Sequence, residues 1–137
     1  MMSKRLCFLL LWLVSYWDVL LAGAALAGEV DVLDVNVQHT AANTYRFDVT
    51  VLHDDSGWDH YADRWEVLSP DGNVLGTRTL LHPHEHEQPF TRSLSGLRIP
   101  IEIKTVTVRA HDSVHGYGRA SVTLTLPQDA DNKPIGN

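Results

Sequence analysis

The chain has 137 residues, of which 44% are hydrophobic and 20% charged, so its length and composition predict one domain with a modest core. A formal net charge of −6 argues against nucleic acid as a partner and against binding to anionic lipid, because both need a basic surface. Eight histidines are an unusually large share for this length, and the single cysteine, Cys7, lies close to the N-terminus.

Residues 1–27 have the three parts of a secretory signal peptide. A positively charged start is followed by an apolar run and by Ala25-Leu26-Ala27, a small-residue pattern that signal peptidase accepts. We therefore predict cleavage after Ala27 and a periplasmic or secreted protein that no longer contacts the membrane. The alternative is a retained membrane anchor, against which Asp18 argues because a carboxylate is costly inside a bilayer. No cysteine follows a lipobox-like triplet near the cleavage point, which argues against a lipoprotein.

From residue 28 onward the chain alternates short extended segments with turn residues, and no stretch keeps a helical period. We predict seven strands, at residues 30–39, 44–53, 63–68, 73–81, 90–94, 103–111 and 119–126. The turn Ser69-Pro70-Asp71-Gly72 is typical of the connections between them, with proline and glycine at favoured positions. Residues 128–137 show no apolar period and are predicted to form a flexible C-terminal tail.

Seven short strands at regular spacing are typical of an antiparallel β-sandwich, which we assign to residues 28–127. The stretch from Thr105 to Pro127, TVTVRAHDSVHGYGRASVTLTLP, resembles the last two strands of a fibronectin type III or related immunoglobulin-like domain. Trp65-Glu66-Val67 and the turn after it resemble the third strand of that family. The sequence departs from the family at Lys104, where a corner tyrosine is usual. The resemblance implies a seven-stranded immunoglobulin-like sandwich and no particular function.

Such a fold brings the loops after strands two, four and six to one end of the domain. Seven of the eight histidines lie in or beside these loops, whereas His39 lies at the opposite end. The seven candidate metal ligands are His53, His60, His82, His84, His86, His111 and His115. Imidazole suits zinc and copper(II), and ligands from separate loops on a rigid scaffold are a common way to build a metal site.

The spacing of these histidines suggests how they would bind. In an extended loop, His82-x-His84-x-His86 would place its imidazoles on one side and the two intervening glutamates on the other. His111-x-x-x-His115 could pinch one ion from both ends of its loop. Four aspartates are candidates for additional ligands or for acceptors of the ring N–H groups: Asp54, Asp55, Asp59 and Asp112. His53 continues the inward alternation of the second strand, so its alternative role is to cap the core.

We predict that the domain binds a transition metal, zinc or copper(II), because copper(I) prefers sulfur ligands that the chain after residue 27 lacks. Another exported protein is a candidate partner. The alternative function is a non-metal carbohydrate-binding, protein-binding or adhesion module, and a plain structural domain with solvated histidines is a third. The carbohydrate-binding, protein-binding or adhesion module would use an aromatic rim made by Trp58, Tyr61, Phe90 and Tyr117. No nucleophile elbow or protease signature is present, so we do not predict an enzyme, although a metal with an open position supports hydrolysis.

Overall fold

The computed structural model describes residues 28–128, which form eight β-strands. In chain order these are β1 (Asp31–Ala41), β2 (Thr44–Leu52), β3 (Ala62–Leu68), β4 (Val74–Thr79), β5 (Phe90–Arg98), β6 (Thr105–Asp112), β7 (Gly116–Tyr117) and β8 (Val122–Thr125). All pairings are antiparallel and residues 28–128 contain no helix, so the prediction of an all-β antiparallel fold is confirmed. The predicted signal peptide and residues 129–137 of the predicted tail lie outside the described residues. In the part that is described, no helix could cross a membrane.

The strands form two sheets that share one hydrophobic core. One sheet has the order β1-β2-β5, and the other has the order β4-β3-β6 with β7 and β8 both paired to the outer edge of β6. The connections from β2 to β3, from β4 to β5 and from β5 to β6 each pass from one sheet to the other. The β2–β3 and β4–β5 connections carry five of the candidate histidines.

The core follows directly from the two-residue period of the strands. Along β2 and β6, buried side chains alternate with partly exposed ones, because successive side chains of a strand point to opposite faces. Trp65 at the centre of β3 is fully buried, and valines from both sheets surround it. The same alternation that buries Val106, Val108 and Ala110 carries Asp112 inward at the end of β6. A carboxylate therefore lies at 0% exposure at the end of the domain where the histidines lie.

The predicted seventh strand, residues 119–126, is shortened to β8, and the predicted loop before it contains the two-residue strand β7, so the described residues form eight strands and not seven. At the break, the N–H of Gly118 still donates to Ala110 of β6, but the carbonyl of Ala120 accepts from Val32 of β1. The chain must pass close to β1 to make this switch, since a Cβ at Gly118 would lie 1.6 Å from the carbonyl oxygen of Val30. Only glycine permits such a backbone approach, and the ladder with β6 is interrupted there. The fifth strand also runs to Arg98, beyond its predicted end, because it pairs with β2 along that length.

Candidate metal centre

One buried carboxylate, that of Asp55, ties together the loops that carry the histidines. Its Oδ1 accepts hydrogen bonds from Nδ1 of His53 at 2.5 Å and from the backbone N–H of Ala62 at 3.0 Å. Its Oδ2 accepts from the backbone N–H of His84 at 2.7 Å. The three donors lie directly after β2, at the start of β3 and in the β4–β5 loop, respectively. The β6–β7 loop joins them through the N–H of Ser113, which donates to the carbonyl of Tyr61. The structure thus places the three loops together, as the sequence predicts.

The hydrogen bond to Asp55 determines the protonation pattern of His53. Because a carboxylate only accepts, Nδ1 of His53 carries a proton, and in the neutral ring Nε2 then bears a lone pair. That Nε2 lies 2.9 Å from the carbonyl oxygen of Gly28 and 3.2 Å from Nε2 of His60. The His53 side chain is 0% exposed, so no bulk water separates these atoms. In this neutral form of the ring, two acceptors, Nε2 and the carbonyl oxygen, would face each other at hydrogen-bonding distance.

Four neighbouring side chains form what we call the His–Asp cluster. Its members are His53, His60, Asp112 and His115. Nε2 of His60 lies 3.4 Å from Oδ1 of Asp112, and Nδ1 of His115 lies 3.2 Å from the same oxygen. The rings of His60 and His115 are 4.8 Å apart. One ligand atom each from His53, His60 and Asp112 lie within 4.8 Å of one another. The cluster draws its members from the β2–β3 connection and from the end of β6 with the loop after it, and only His115, with 39% of its side chain exposed, reaches well into solvent.

Asp112 is the anionic member of the cluster. Burial raises the pKa of this carboxyl, but the backbone N–H groups of His115 and Val114 and the nearby charges of His115 and His53 outweigh burial, so its pKa lies below the ordinary value. Oδ1 accepts those two N–H groups at 2.6 and 2.9 Å. Oδ2 is buried and has no hydrogen-bond partner among the described residues. Since a buried charged oxygen without a partner is costly, this atom is well suited to receive a cation.

Gly28 is a part of the site that the sequence analysis missed. Its carbonyl oxygen lies 2.9 Å from His53 and 3.2 Å from His60. A Cβ at this position would lie 2.7 Å from Cε1 of His115 and 3.1 Å from Cε1 of His60, and φ is +121°. No other residue fits between these rings without displacing them. The one sequence signal that marks Gly28 is its place immediately after Ala25-Leu26-Ala27.

His111 and His115 do not face the same site, so the predicted pinching of one ion by this pair is wrong. His111 lies one residue before Asp112 on β6 and therefore points to the opposite face of the sheet. There its Nδ1 lies 2.7 Å from Oδ1 of Asp63 and 3.0 Å from Nη1 of Arg64. The alternation of β6 already contains this result, because residues 106, 108 and 110 point inward and 111 does not.

The three histidines of the β4–β5 loop do not all share one side, because the loop turns at residues 85–86 and is not extended. The rings of His82 and His84 lie 4.5 Å apart. His84 is buried and stacks on Phe90 at 3.9 Å with an interplanar angle of 10°. Burial, followed by the positive charges of Arg92 and His82, holds the pKa of His84 below its ordinary value. His82 and His86 are exposed, and Nδ1 of His82 contacts the carbonyl of Pro83. These rings lie outside the His–Asp cluster.

The remaining candidates are distributed over the surface. Asp54 and Asp59 are exposed and belong to no group of metal-ligating side chains found among residues 28–128. His39 packs against Tyr45 at 4.9 Å between ring centres and lines a cavity of about 240 Å³ with Asn43 and Lys104, away from the cluster.

The aromatic residues do not form one rim. Trp58 is 66% exposed and meets Tyr61 edge-on at 5.6 Å, so this pair remains open to a ligand. Phe90 is a core residue. Tyr117 lies on the outer face of the second sheet, where the guanidinium of Arg109 covers its ring at 3.6 Å. The predicted rim is therefore reduced to the pair Trp58 and Tyr61.

No protein-family model matches the chain, and no solved structure does. The chain is similar to a protein of Halomicrobium mukohataei named "Putative lipoprotein", with 46% identity over 102 residues. The match covers 74% of this chain and 50% of that protein, so the chain spans about half the length of the curated relative that it matches. The name of the relative states no reaction and no ligand, so any chemical function must be argued from the geometry of the site.

Proposed function

We propose that this chain is an exported domain that binds one transition metal ion, zinc or copper(II), at the His–Asp cluster. One observation carries the proposal: Nε2 of His53 and the carbonyl oxygen of Gly28 lie 2.9 Å apart while Nδ1 of His53 is committed to Asp55. Two facing lone pairs in a buried place repel each other, and a cation between or beside them removes the repulsion.

The cation could be a metal ion or a second proton on His53. A doubly protonated ring would donate to Asp55 and to Gly28, which satisfies that pair of contacts. It would leave the buried Oδ2 of Asp112 without a partner, because a proton on His53 Nε2 is already committed to the carbonyl of Gly28. A metal ion takes several donors at once, and this favours the metal.

Two of the three separations among the donor atoms of His53, His60 and Asp112 match tetrahedral coordination, and all three atoms lie within 4.8 Å of one another. In a zinc site with bonds of about 2.0–2.1 Å, neighbouring ligand atoms lie roughly 3.3–3.4 Å apart. The separation between His53 and His60 is 3.2 Å, and that between His60 and Asp112 is 3.4 Å. His115, exposed and next to Asp112, is available as a fourth ligand. Imidazole and carboxylate donors without sulfur favour zinc and copper(II) over copper(I).

We further infer that the scaffold is immunoglobulin-like. In that fold, strands A, B and E share one sheet and strands C, F and G share the other, and in variable-type domains a strand C′ joins the second sheet. The orders β1-β2-β5 and β4-β3-β6 with β7 and β8 fit A-B-E and C′-C-F-G, the last strand being divided. The resemblance of residues 105–127 to the last two strands of this family supports the same assignment.

Export is supported from two sides. The sequence of residues 1–27 has the pattern of a signal peptide, and the relative from Halomicrobium mukohataei bears the name of a lipoprotein, which is a class of exported, membrane-attached proteins. The name of the relative implies a lipid anchor, whereas the single cysteine of this chain lies within the apolar run of residues 1–27 and not after a lipobox-like triplet near the predicted cleavage point. Periplasmic or secreted placement is the form of export that we propose.

Calorimetric titration with zinc and copper(II) tests the metal site, on the full chain expressed without a polyhistidine tag and purified from the exported fraction. We expect one ion per chain, a large loss of affinity in His60→Ala, and unchanged affinity in the controls His86→Ala and His39→Ala. Metal-free wild-type protein that binds neither ion would contradict the proposal. Binding of a glycan in that case, lost in Trp58→Ala, would establish the alternative binding module.

A further inference from the structure

The residue that follows the predicted cleavage point is also a member of the proposed metal centre. Ala25-Leu26-Ala27 ends the signal-like segment, and Gly28 is next. The carbonyl of Gly28 contacts His53 and His60, and its Cα is close enough to His115 that a Cβ would clash. Export alone does not require the residue after the cleavage point to lie beside His53, His60 and His115.

We propose that the α-amino group of Gly28, freed by cleavage after Ala27, is a ligand of the same metal ion, so that removal of the leader completes the site. This inference rests on the proposed metal function and deepens it. Hydrolysis of the Ala27–Gly28 peptide bond consumes one water, leaves a carboxylate on Ala27 and places an amine on Gly28. The amide nitrogen that it replaces has no available lone pair, because peptide resonance uses it.

The position of the carbonyl oxygen makes the amine a suitable donor. In glycine, the nitrogen and the carbonyl oxygen are separated by two carbons, so both can bind one ion in a five-membered chelate ring. The oxygen already lies 2.9 Å from His53 and 3.2 Å from His60. An ion held by these two rings is therefore within reach of the amine by rotation within Gly28 itself, and the strands need not move.

The absence of a side chain at Gly28 fits this role. A Cβ at Gly28 would lie 2.7 Å from Cε1 of His115, so the backbone of Gly28 lies against this ring of the cluster. With the amine, the donor set becomes the imidazoles of His53 and His60, the Asp112 carboxylate and the chelating N-terminus, which takes the position that His115 would otherwise fill. A chain that still carries its leader would lack one donor and bind the ion more weakly, which would confine full affinity to the exported protein.

A cleavable full-length chain tests the inference. Residues 24–27 are replaced by Ile-Glu-Gly-Arg, after which factor Xa cuts, so that the same preparation in detergent is titrated with zinc and copper(II) before and after release of Gly28. We expect binding in both states, with an affinity about tenfold or more tighter after cleavage. Growth with ¹⁵N-glycine adds a direct readout, because the copper(II) hyperfine pattern should change with the isotope only in the cleaved protein. Circular dichroism before and after cleavage controls for the fold.

The outcomes separate the two proposals. Equal affinities before and after cleavage, with no effect of ¹⁵N-glycine on the copper spectrum, would overturn the role of the amine and leave the metal site standing. Tighter binding after cleavage without an isotope effect would also overturn it, because the leader would then act by obstruction. Absence of binding in both states would overturn the metal site and the inference with it.

Discussion

Asp55 is the residue on which the histidine-bearing end of the domain depends most, and its replacement gives the sharpest test of the structure. Its two oxygens accept three hydrogen bonds, from His53, Ala62 and His84, while its side chain is 0% exposed. In Asp55→Asn the side chain has one acceptor oxygen and one NH₂ group. In either amide orientation the NH₂ group faces one of the two backbone N–H donors, and that donor loses its partner.

The cost can be worked out from this count. One buried N–H group left without an acceptor costs about 1–3 kcal/mol, so Asp55→Asn should lose that much stability. Asp55→Ala leaves all three donors without partners and should lose about 3–9 kcal/mol, a large part of the stability of a typical domain. If the Asn NH₂ group instead donates to Nδ1 of His53, the ring proton moves to Nε2. Metal affinity should then fall roughly 10–100-fold, because the nitrogen that faces the cluster no longer has a lone pair.

Urea unfolding followed by tryptophan fluorescence measures the stability, and calorimetric titration measures the affinity. Asp54→Asn is the matched control, since Asp54 is the neighbouring residue and is exposed. It should change neither quantity. A free energy of unfolding in Asp55→Asn equal to that of the wild type would refute the proposed network.

Three further predictions concern the core, the buried His84 and the proton dependence of metal binding. Trp65→Ala should lose about 3–5 kcal/mol of unfolding free energy, because Trp65 is fully buried. Trp65→Phe should lose less, because the indole N–H that it removes has no partner among the described residues. Equal losses in the two variants, or no loss, would show that the burial of Trp65 is wrong. Burial first, and then Arg92 and His82, lower the pKa of His84, so the unfolded chain binds this proton more readily than the folded one. Stability should therefore fall as the pH drops below about 6.5, and less so in His84→Phe, as urea unfolding at several pH values will show; identical pH profiles would contradict this. Affinity for zinc should fall by more than one decade per pH unit on acidification, because protons compete with the ion for at least two imidazoles, whereas Asp112, with its lowered pKa, stays ionised. A slope below one decade would exclude a multi-histidine site.

The strands could be predicted from the sequence because each has one face in the core. The two-residue period of β2 and β6 is explicit in the order of their residues, and it places Trp65 of β3 and Val108 of β6 inside. The grouping of three loops at one end follows from the strand order alone. The short strand β7 and its separation from β8 did not follow, because they depend on the approach of Gly118 to Val30, which are far apart in the chain.

The candidate site was predicted as a region and not as a set of ligands. His53, His60 and His115 were among the candidates and lie in the cluster. Spacing favoured His115 correctly, but it also favoured His84, His86 and His111, which lie elsewhere. Spacing failed because an extended loop was assumed, and a turn at residues 85–86 buries one ring and exposes the next. Strand parity would have excluded His111. Gly28 could not be found by any local pattern of ligands, because it reaches the cluster only through the tertiary fold.

The position of the bound metal ion tests the proposed site at the His–Asp cluster most directly. Crystals of the exported protein grown with zinc, and measured at the zinc absorption edge, locate the ion by its anomalous scattering without reference to activity. We predict one strong peak per chain, within about 2.0–2.2 Å of Nε2 of His53, Nε2 of His60 and a carboxylate oxygen of Asp112. A peak only at the exposed His82 and His86, or no peak in zinc-saturated crystals, would contradict a metal site at the His–Asp cluster.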